Sequence, residues 1–222
     1  MTARPAFYAL ERGGWRDYVT LLHLPYTAWH LAYVAIGAAL APALHWNRLG
    51  WTLAAFALAL GVAAHALDEL HDRPLRTEIP GRLLAALAAV TLAGAIAIGI
   101  GAAAAWSWWL LAFVAAGGFV VPAYNLELPG FHSDLWFGLA WGGFPVLTAY
   151  FAQAERLEPE AVLAAAFAVA LSLAQRRLST QVRAIRRHGA PGDVAVPEAA
   201  LRLLALAVCL LAAALLVLRG RL

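Results

Sequence analysis

The sequence predicts an all-α, polytopic membrane helix bundle of about seven transmembrane helices, forming a single transmembrane domain over residues 1–222. Three observations predict this fold class. Hydrophobic residues make up 63% of the chain and charged residues only 13%, whereas soluble domains carry about 25% charged residues. The mean hydropathy is +0.72. The apolar residues also fall into separate runs, and about 20 apolar residues are needed to cross a bilayer.

Seven apolar segments are expected to span the membrane. In chain order they are residues 26–44, 51–68, 83–105, 107–124, 135–153, 160–178 and 198–218. The second segment is short and runs directly into a charged stretch. The third and fourth are separated only near Trp106, so they are expected to form a tight helical hairpin.

The arginines predict the orientation of the bundle. The chain has no lysine, and with a cytoplasmic N-terminus eleven of its 16 arginines fall in cytoplasmic segments and four in extracytoplasmic ones. Because positive residues concentrate on the cytoplasmic side, we predict a multi-pass protein of the cell inner (plasma) membrane with an extracytoplasmic C-terminus. The outer interface then holds Trp46, Trp51, Trp106, Trp108 and Trp109.

Composition excludes three function classes. The arginines lie between apolar runs and do not form a soluble basic face, so no nucleic-acid partner is expected. The single cysteine, Cys209, excludes a disulfide framework and a multi-cysteine metal site. A seven-span zinc hydrolase requires histidines on the last span, and residues 198–218 contain none.

The loop after the second segment carries the first candidate site. Asp68 and Asp72 are four residues apart, so they share one face of a continuing helix. Carboxylates of this kind suit Mg²⁺, which is commonly held by one or two carboxylates and substrate phosphate oxygens. Arg73 and Arg76 follow and are able to bind a phosphate. The alternative is a solvated loop whose acids and arginines pair with each other.

The loop after the fourth segment holds polar residues but no basic residue. They are Tyr124, Asn125, Glu127, His132 and Asp134. A cytoplasmic loop without arginine is unusual under the positive-inside rule, which suggests that these side chains face a cavity. Asp134 also fits a simpler role as the N-cap of the fifth span.

The stretch after the sixth segment is strongly basic. Arg176, Arg183 and Arg187 recur at spacings of seven and four residues, so they line one side of a helical extension, and Arg177 lies next to the first of them. Such a row binds either a diphosphate or anionic lipid headgroups. Both interpretations fit the sequence.

Together these motifs resemble the UbiA-type intramembrane prenyltransferases, with the menaquinone-type members closest. The resemblance extends from about residue 15 to residue 190. The family motif NDxxDxxxD is matched in its last two aspartates by Asp68 and Asp72, followed by Arg76-Thr77 and Pro80-Gly81. Tyr124 opens, and Asp134 closes, a loop before a glycine-rich helix, as in menaquinone-type members.

The resemblance implies transfer of a prenyl chain from a polyprenyl diphosphate to an aromatic or lipid acceptor, as in quinone biosynthesis. It implies one Mg²⁺ site at Asp68 and Asp72. Those two acids and three further residues are implied to be catalytic, namely Tyr124, His132 and Asp134. The diphosphate is implied to bind Arg73, Arg76, Arg176, Arg177 and Arg183.

The chain departs from the family in two respects. The family has a second DxxxD motif after its sixth helix, but residues 161–192 contain no acidic residue, and the family has about nine spans. These departures keep an alternative open, in which a non-catalytic UbiA-like protein binds an isoprenoid, quinone or pigment, as a subunit of a membrane complex. The surviving aspartate pair favours the enzyme, with an isoprenoid lipid and membrane lipids as partners.

Overall fold

The computed structural model describes residues 4–221, without the side chain of His188, and consists of eight helices and their connections. The helices are α1 (Trp15–Leu21), α2 (Leu24–Leu40), α3 (Trp46–Asp72), α4 (Gly81–Ala105), α5 (Leu110–Asn125), α6 (Asp134–Ala154), α7 (Pro159–His188) and α8 (Ala195–Arg219). No β-strand occurs in residues 4–221. The chain is therefore all-α, as predicted.

Five helices are long and apolar enough to cross a membrane: α3, α4, α6, α7 and α8. Each of the seven predicted segments falls on one of the helices α2 to α8. However, α2 has 17 residues and α5 has 16, so the count of seven spans stays a prediction. The predicted sides of the two chain ends concern Met1 and Leu222, which lie outside the described residues.

Helix α2 lies inside the bundle, where it packs against α8 and the second half of α6. Its Trp29 and Tyr33 side chains are fully buried. Helices α4 and α8 are peripheral: only 11% and 22% of their most apolar stretches are buried, against 61% for α6. A helix that is apolar on its exposed faces is typical of contact with lipid.

Glycines allow the central helices to approach closely. A Cβ added at Gly37 would collide with the backbone of Val146, where α2 crosses α6. At Gly142 an added Cβ would lie 2.5 Å from the carbonyl oxygen of Ala168, where α6 crosses α7. Small residues that let helix backbones meet are typical of membrane bundles.

Two helices contain π-helical segments, Ala57–Ala64 in α3 and Gly138–Gly143 in α6. Such segments are rare and occur often at functional sites. In each segment, one carbonyl oxygen is contacted by a histidine ring. His65 contacts Gly61 at 3.2 Å, and His30 contacts Trp141 at 2.9 Å.

Candidate functional site

A polar cavity of about 490 Å³ lies at one end of the bundle. Its walls come from the N-terminal segment Pro5–Tyr8, the first half of α2, the end of α3, the α5–α6 loop, the first half of α6 and the second half of α7. The three polar stretches that the sequence singled out therefore meet around one space. The predicted site residues that line it are Asp68, Asp72, Arg73, Arg76, Tyr124, His132, Arg176 and Arg183.

Two predicted site residues, Asp134 and Arg177, do not line this cavity. The Arg177 side chain is 84% exposed, and its Nε lies 3.9 Å from a carboxylate oxygen of Asp134. The N-cap of α6 is Ser133, whose side chain accepts a hydrogen bond from the Trp136 amide, so the simpler prediction of Asp134 as the cap is wrong. Asp134 is the first residue of α6, where a carboxylate suits the helix dipole.

The two aspartates of α3 have different surroundings. Asp68 is partly buried and lies in the electrostatic field of Arg183 and Arg187 from α7. Asp72 is exposed beside His71 and Glu127, and one ligand atom from each of these three residues lies within 4.8 Å of the others. Asp68 does not belong to this group, so the structure places Glu127, and not Asp68, together with Asp72 in it.

Arg176 is held in place by several groups. Its Nε donates to Asp134 at 3.1 Å, and its guanidinium contacts Nε2 of His132 at 3.3 Å. The guanidinium also lies 5.8 Å from the ring centroid of Tyr124 and 5.3 Å from that of Phe137. Arg176 therefore fixes the cavity wall as much as it contributes charge to the cavity.

The aromatic ring of Tyr124 stacks on His132 with centroids 4.6 Å apart. Its hydroxyl is buried and has no hydrogen-bond partner within residues 4–221. The same holds for Oε1 of Gln175, whose side chain also lines the cavity. Because buried polar groups in proteins are nearly always hydrogen-bonded, these two atoms indicate a ligand or ordered water in the cavity.

The N-terminal segment closes one side of the cavity. The Tyr8 ring lies 5.1 Å from His23 and 5.5 Å from Tyr26, and the Arg202 guanidinium lies 4.8 Å from the Phe7 ring. Burial, and then the neighbouring Tyr26, raise the pKa of Tyr8. Burial, and then the charges of His65, Arg187 and Arg183, lower the pKa of His23 far below its usual value. Both side chains are therefore neutral near pH 7.

The α3–α4 loop is held together by residues whose roles are structural. The carboxylate of Glu69 is fully buried and accepts hydrogen bonds from the Leu75 amide, the Thr77 amide and the Thr77 hydroxyl, at 2.7–2.9 Å. Arg73 donates to the carbonyl oxygens of Thr77 and Ile79. Arg73 thus lines the cavity, but two of its hydrogen bonds stabilise the loop.

Sequence reasoning did not single out four residues that also line the cavity: Tyr8, His23, Tyr26 and Gln175. His30, a lone histidine in the first apolar segment, is of the kind expected to form a structural hydrogen bond, and its ring contacts the Trp141 carbonyl oxygen. His65 takes the place of the first aspartate in the motif that resembles the UbiA family.

A smaller, apolar cavity of about 100 Å³ lies among helices α3 to α6. It is lined by aliphatic side chains, glycines and aromatic rings such as those of Phe56, Trp106 and Phe113. Trp141 lines both cavities. Trp141, in the π-helical segment of α6, therefore lies between the polar cavity and the apolar one.

No family model matches this chain, and no curated protein or solved structure is significantly similar to it. A proposal for its function therefore depends on the geometry of the two cavities and on the chemistry of the side chains around them.

Proposed function

We propose that the protein binds a polyprenyl diphosphate and transfers its prenyl chain to an aromatic or lipid acceptor, as a UbiA-like membrane enzyme. The observation that carries this proposal is that a polar, arginine-lined cavity and an apolar cavity share the side chain of Trp141. An amphipathic molecule with an anionic head and a hydrocarbon tail would place its head in the polar cavity and direct its tail past Trp141 towards the apolar one.

The arginines of α7 supply the charge for the anionic head. Arg176, Arg183 and Arg187 line the polar cavity from this one helix. A guanidinium stays charged at any physiological pH, and its planar donors match the oxygens of a phosphate. In prenyl transfer the C–O bond to the diphosphate breaks and the diphosphate leaves with the electron pair, while the acceptor forms a bond to the same carbon and releases a proton. Fixed positive charge then stabilises this leaving group.

The acids at the end of α3 would hold one Mg²⁺, with Glu127, which is grouped with Asp72, as a further oxygen ligand. Asp68 and Asp72 both line the cavity. Mg²⁺ prefers oxygen ligands and keeps several waters, which suits the exposed carboxylates of Asp72 and Glu127. When bound, the metal ion would neutralise part of the diphosphate charge. The buried Tyr124 hydroxyl would orient the acceptor.

A second candidate function is non-catalytic binding of an isoprenoid, quinone or pigment, as a subunit of a membrane complex. Two observations favour it. Residues 161–192 contain no acid that would hold a second metal ion. Arg176, which lies in that region, is engaged by Asp134 and His132.

Two measurements test these functions. Mass spectrometry of lipids extracted with the purified protein should identify an isoprenoid. Transfer assays that pair C10–C50 polyprenyl diphosphates with quinone precursors, with and without EDTA, should detect a prenylated product. A bound isoprenoid without any transfer product would favour the second candidate, and neither an isoprenoid nor a product would contradict both.

A further inference from the structure

Two histidines that line the polar cavity are fixed in the same tautomer. Nδ1 of His30 lies 2.9 Å from the carbonyl oxygen of Trp141, and Nδ1 of His65 lies 3.2 Å from that of Gly61. Because a carbonyl oxygen only accepts hydrogen bonds, each Nδ1 must carry the proton. In a neutral imidazole the other nitrogen, Nε2, is then a hydrogen-bond acceptor.

In a third histidine of the cavity, His132, Nδ1 also faces a carbonyl oxygen, but its Nε2 already has a hydrogen-bond donor. Nδ1 of His132 lies 3.0 Å from the carbonyl oxygen of Tyr124, and its Nε2 faces the Arg176 guanidinium at 3.3 Å. In contrast, Nε2 of His30 and Nε2 of His65 have no hydrogen-bond partner among the described residues. Neither atom is fully enclosed by protein, and both side chains line the cavity, so these two acceptors are open to a donor that enters it.

A metal ion does not account for these two acceptors. Three ligands on one metal ion lie close together, since Zn–N bonds are about 2.0–2.1 Å. Among the described residues, the group of three potential metal ligands that converges is His71, Asp72 and Glu127. Neither His30 nor His65 belongs to it. Their Nε2 atoms are therefore placed to accept hydrogen bonds from a ligand.

The charge of the cavity limits what the donor can be. Arg183 and Arg187 line the same space, and their charges disfavour a second cation nearby. An ammonium donor is therefore disfavoured, whereas a neutral hydroxyl group donates to an imidazole without adding charge. The buried Tyr124 hydroxyl and Gln175 Oε1 offer further hydrogen-bonding positions to such a molecule.

We infer that the polar cavity binds a hydroxylated phosphate, whose phosphate faces the arginines and whose hydroxyl groups donate to Nε2 of His30 and His65. This inference rests on the proposed anion binding by the arginines. A polyprenyl diphosphate has no hydroxyl group beside its diphosphate. The hydroxylated phosphate is therefore a second molecule that shares the cavity, either free in solution or as the headgroup of a lipid.

Matched ligand pairs test this inference on the unmodified protein. Isothermal titration calorimetry of the detergent-solubilised protein would compare glycerol 3-phosphate with n-propyl phosphate, which has the same phosphate and three carbons but no hydroxyls. A second pair, dioleoylphosphatidylglycerol and dioleoylphosphatidylmethanol, makes the same comparison for lipid headgroups. The hydroxylated member should bind about tenfold more tightly, because each neutral hydrogen bond contributes modestly. Discrimination within the first pair indicates a free ligand, and discrimination within the second alone indicates a lipid.

The His65→Phe variant removes Nε2 but keeps an aromatic ring to stack on His23, whose ring centroid lies 4.0 Å away. Its affinity for the hydroxylated member should fall towards that for the hydroxyl-free member, which should bind unchanged. His30→Phe repeats the test if the first variant does not fold. His45→Phe is the control, because the exposed His45 precedes α3 and does not line the cavity.

The outcomes separate this inference from the proposed function. Equal affinities within both pairs, measured on the unmodified protein, would overturn the inference and leave the anion site intact. If none of the four phosphates binds, the proposed anion site fails and the inference fails with it.

Discussion

Arg177 and Arg183 lie on the same helix, but only Arg183 reaches the polar cavity. Its guanidinium donates to Thr180 at 3.0 Å and retains free donors for an anion. We therefore predict that Arg183→Gln weakens binding of a polyprenyl diphosphate by about ten- to a hundredfold, as expected for the loss of a hydrogen bond to a charged group. Equilibrium binding of a fluorescent diphosphate analogue measures this change.

Arg177→Gln is the matched control, because that side chain is 84% exposed and lies outside the cavity. It should leave the affinity within about twofold of the unmodified protein, since surface ion pairs contribute little. If the two variants lose the same affinity, the arginines act as a diffuse charge and the cavity does not define the site.

Tyr124 provides a second test at a single atom. Its hydroxyl is buried without a partner among the described residues, so Tyr124→Phe should stabilise the ligand-free protein by about 1 kcal/mol. The same variant should weaken ligand binding if the hydroxyl contacts the ligand. Thermal unfolding of delipidated protein, with and without ligand, separates the two effects. Destabilisation of the ligand-free protein would mean that an ordered water satisfies the hydroxyl.

Polar residues beside apolar runs stand out in a sequence, which is why Asp68, Tyr124 and Arg183 were predictable as site candidates. Gln175 was not predictable as a site residue, because the direction of its side chain depends on how helix α7 is rotated about the helix axis. Glu69 lies between the two predicted aspartates but points into the loop, where it binds backbone amides. Spacing alone does not reveal which carboxylates are used for folding.

At the scale of helices, the lengths of the apolar runs predicted where the helices lie, although the observed helix ends differ from the predicted ends by several residues. The second predicted segment, residues 51–68, is the central part of α3, which runs from Trp46 to Asp72. The π-helical segments were not predictable, because Ala57–Ala64 reads as an ordinary apolar stretch. Their positions depend on contacts with neighbouring helices that a sequence pattern does not contain.

The α6–α7 crossing makes a prediction about packing. In Gly142→Ala the new methyl group would lie 2.5 Å from the Ala168 carbonyl oxygen and 2.8 Å from the Ser172 hydroxyl. The helices must separate, so we expect a loss of about 1–3 kcal/mol in the free energy of unfolding.

Gly101→Ala in α4 is the control, since nothing lies within 4 Å of the added Cβ. It should be neutral or stabilising because alanine favours helix. Equal effects would mean that α6 and α7 do not meet as closely as described.

The α3–α4 loop makes a second prediction at this scale. Glu69→Ala removes the acceptor of three hydrogen bonds and leaves two buried amides unsatisfied, so it should cost about 3 kcal/mol or more. Limited proteolysis should then cut the loop faster. Glu78→Gln is the control, because this exposed residue forms its hydrogen bond to Asp17 through its backbone amide. A stable Glu69→Ala protein would show that the loop does not depend on this carboxylate.

For the whole molecule, the loops that line the polar cavity lie at the end of the bundle where α2 begins, beside His23 and Tyr26. The exposed tryptophans Trp46, Trp51, Trp108 and Trp109 lie towards the other end, at the beginning of α3 and in the α4–α5 turn. Trp15 is exposed as well, at the beginning of α1 near the polar cavity. Exposed tryptophans therefore lie at both ends of the bundle, which is typical of aromatic residues at the two membrane interfaces.

The last prediction concerns how the whole bundle sits in the membrane. The N-terminal segment lines the polar cavity, whereas Arg219 of α8 donates to the carbonyl oxygen of Ala39 at 2.7 Å, at the far end of α2. The two ends of the described chain therefore lie at opposite ends of the bundle. With Arg202, whose guanidinium lies over the Phe7 ring, twelve of the 16 arginines lie on the cavity side and four on the other side. Positive residues are retained in the cytoplasm, so the cavity should open towards the cytoplasm.

A reporter fused after Leu222 should then be extracytoplasmic, and one fused before Met1 should be cytoplasmic. Two reporters on the same side would contradict the described path of α8, and two exchanged sides would place the cavity on the extracytoplasmic side of the membrane.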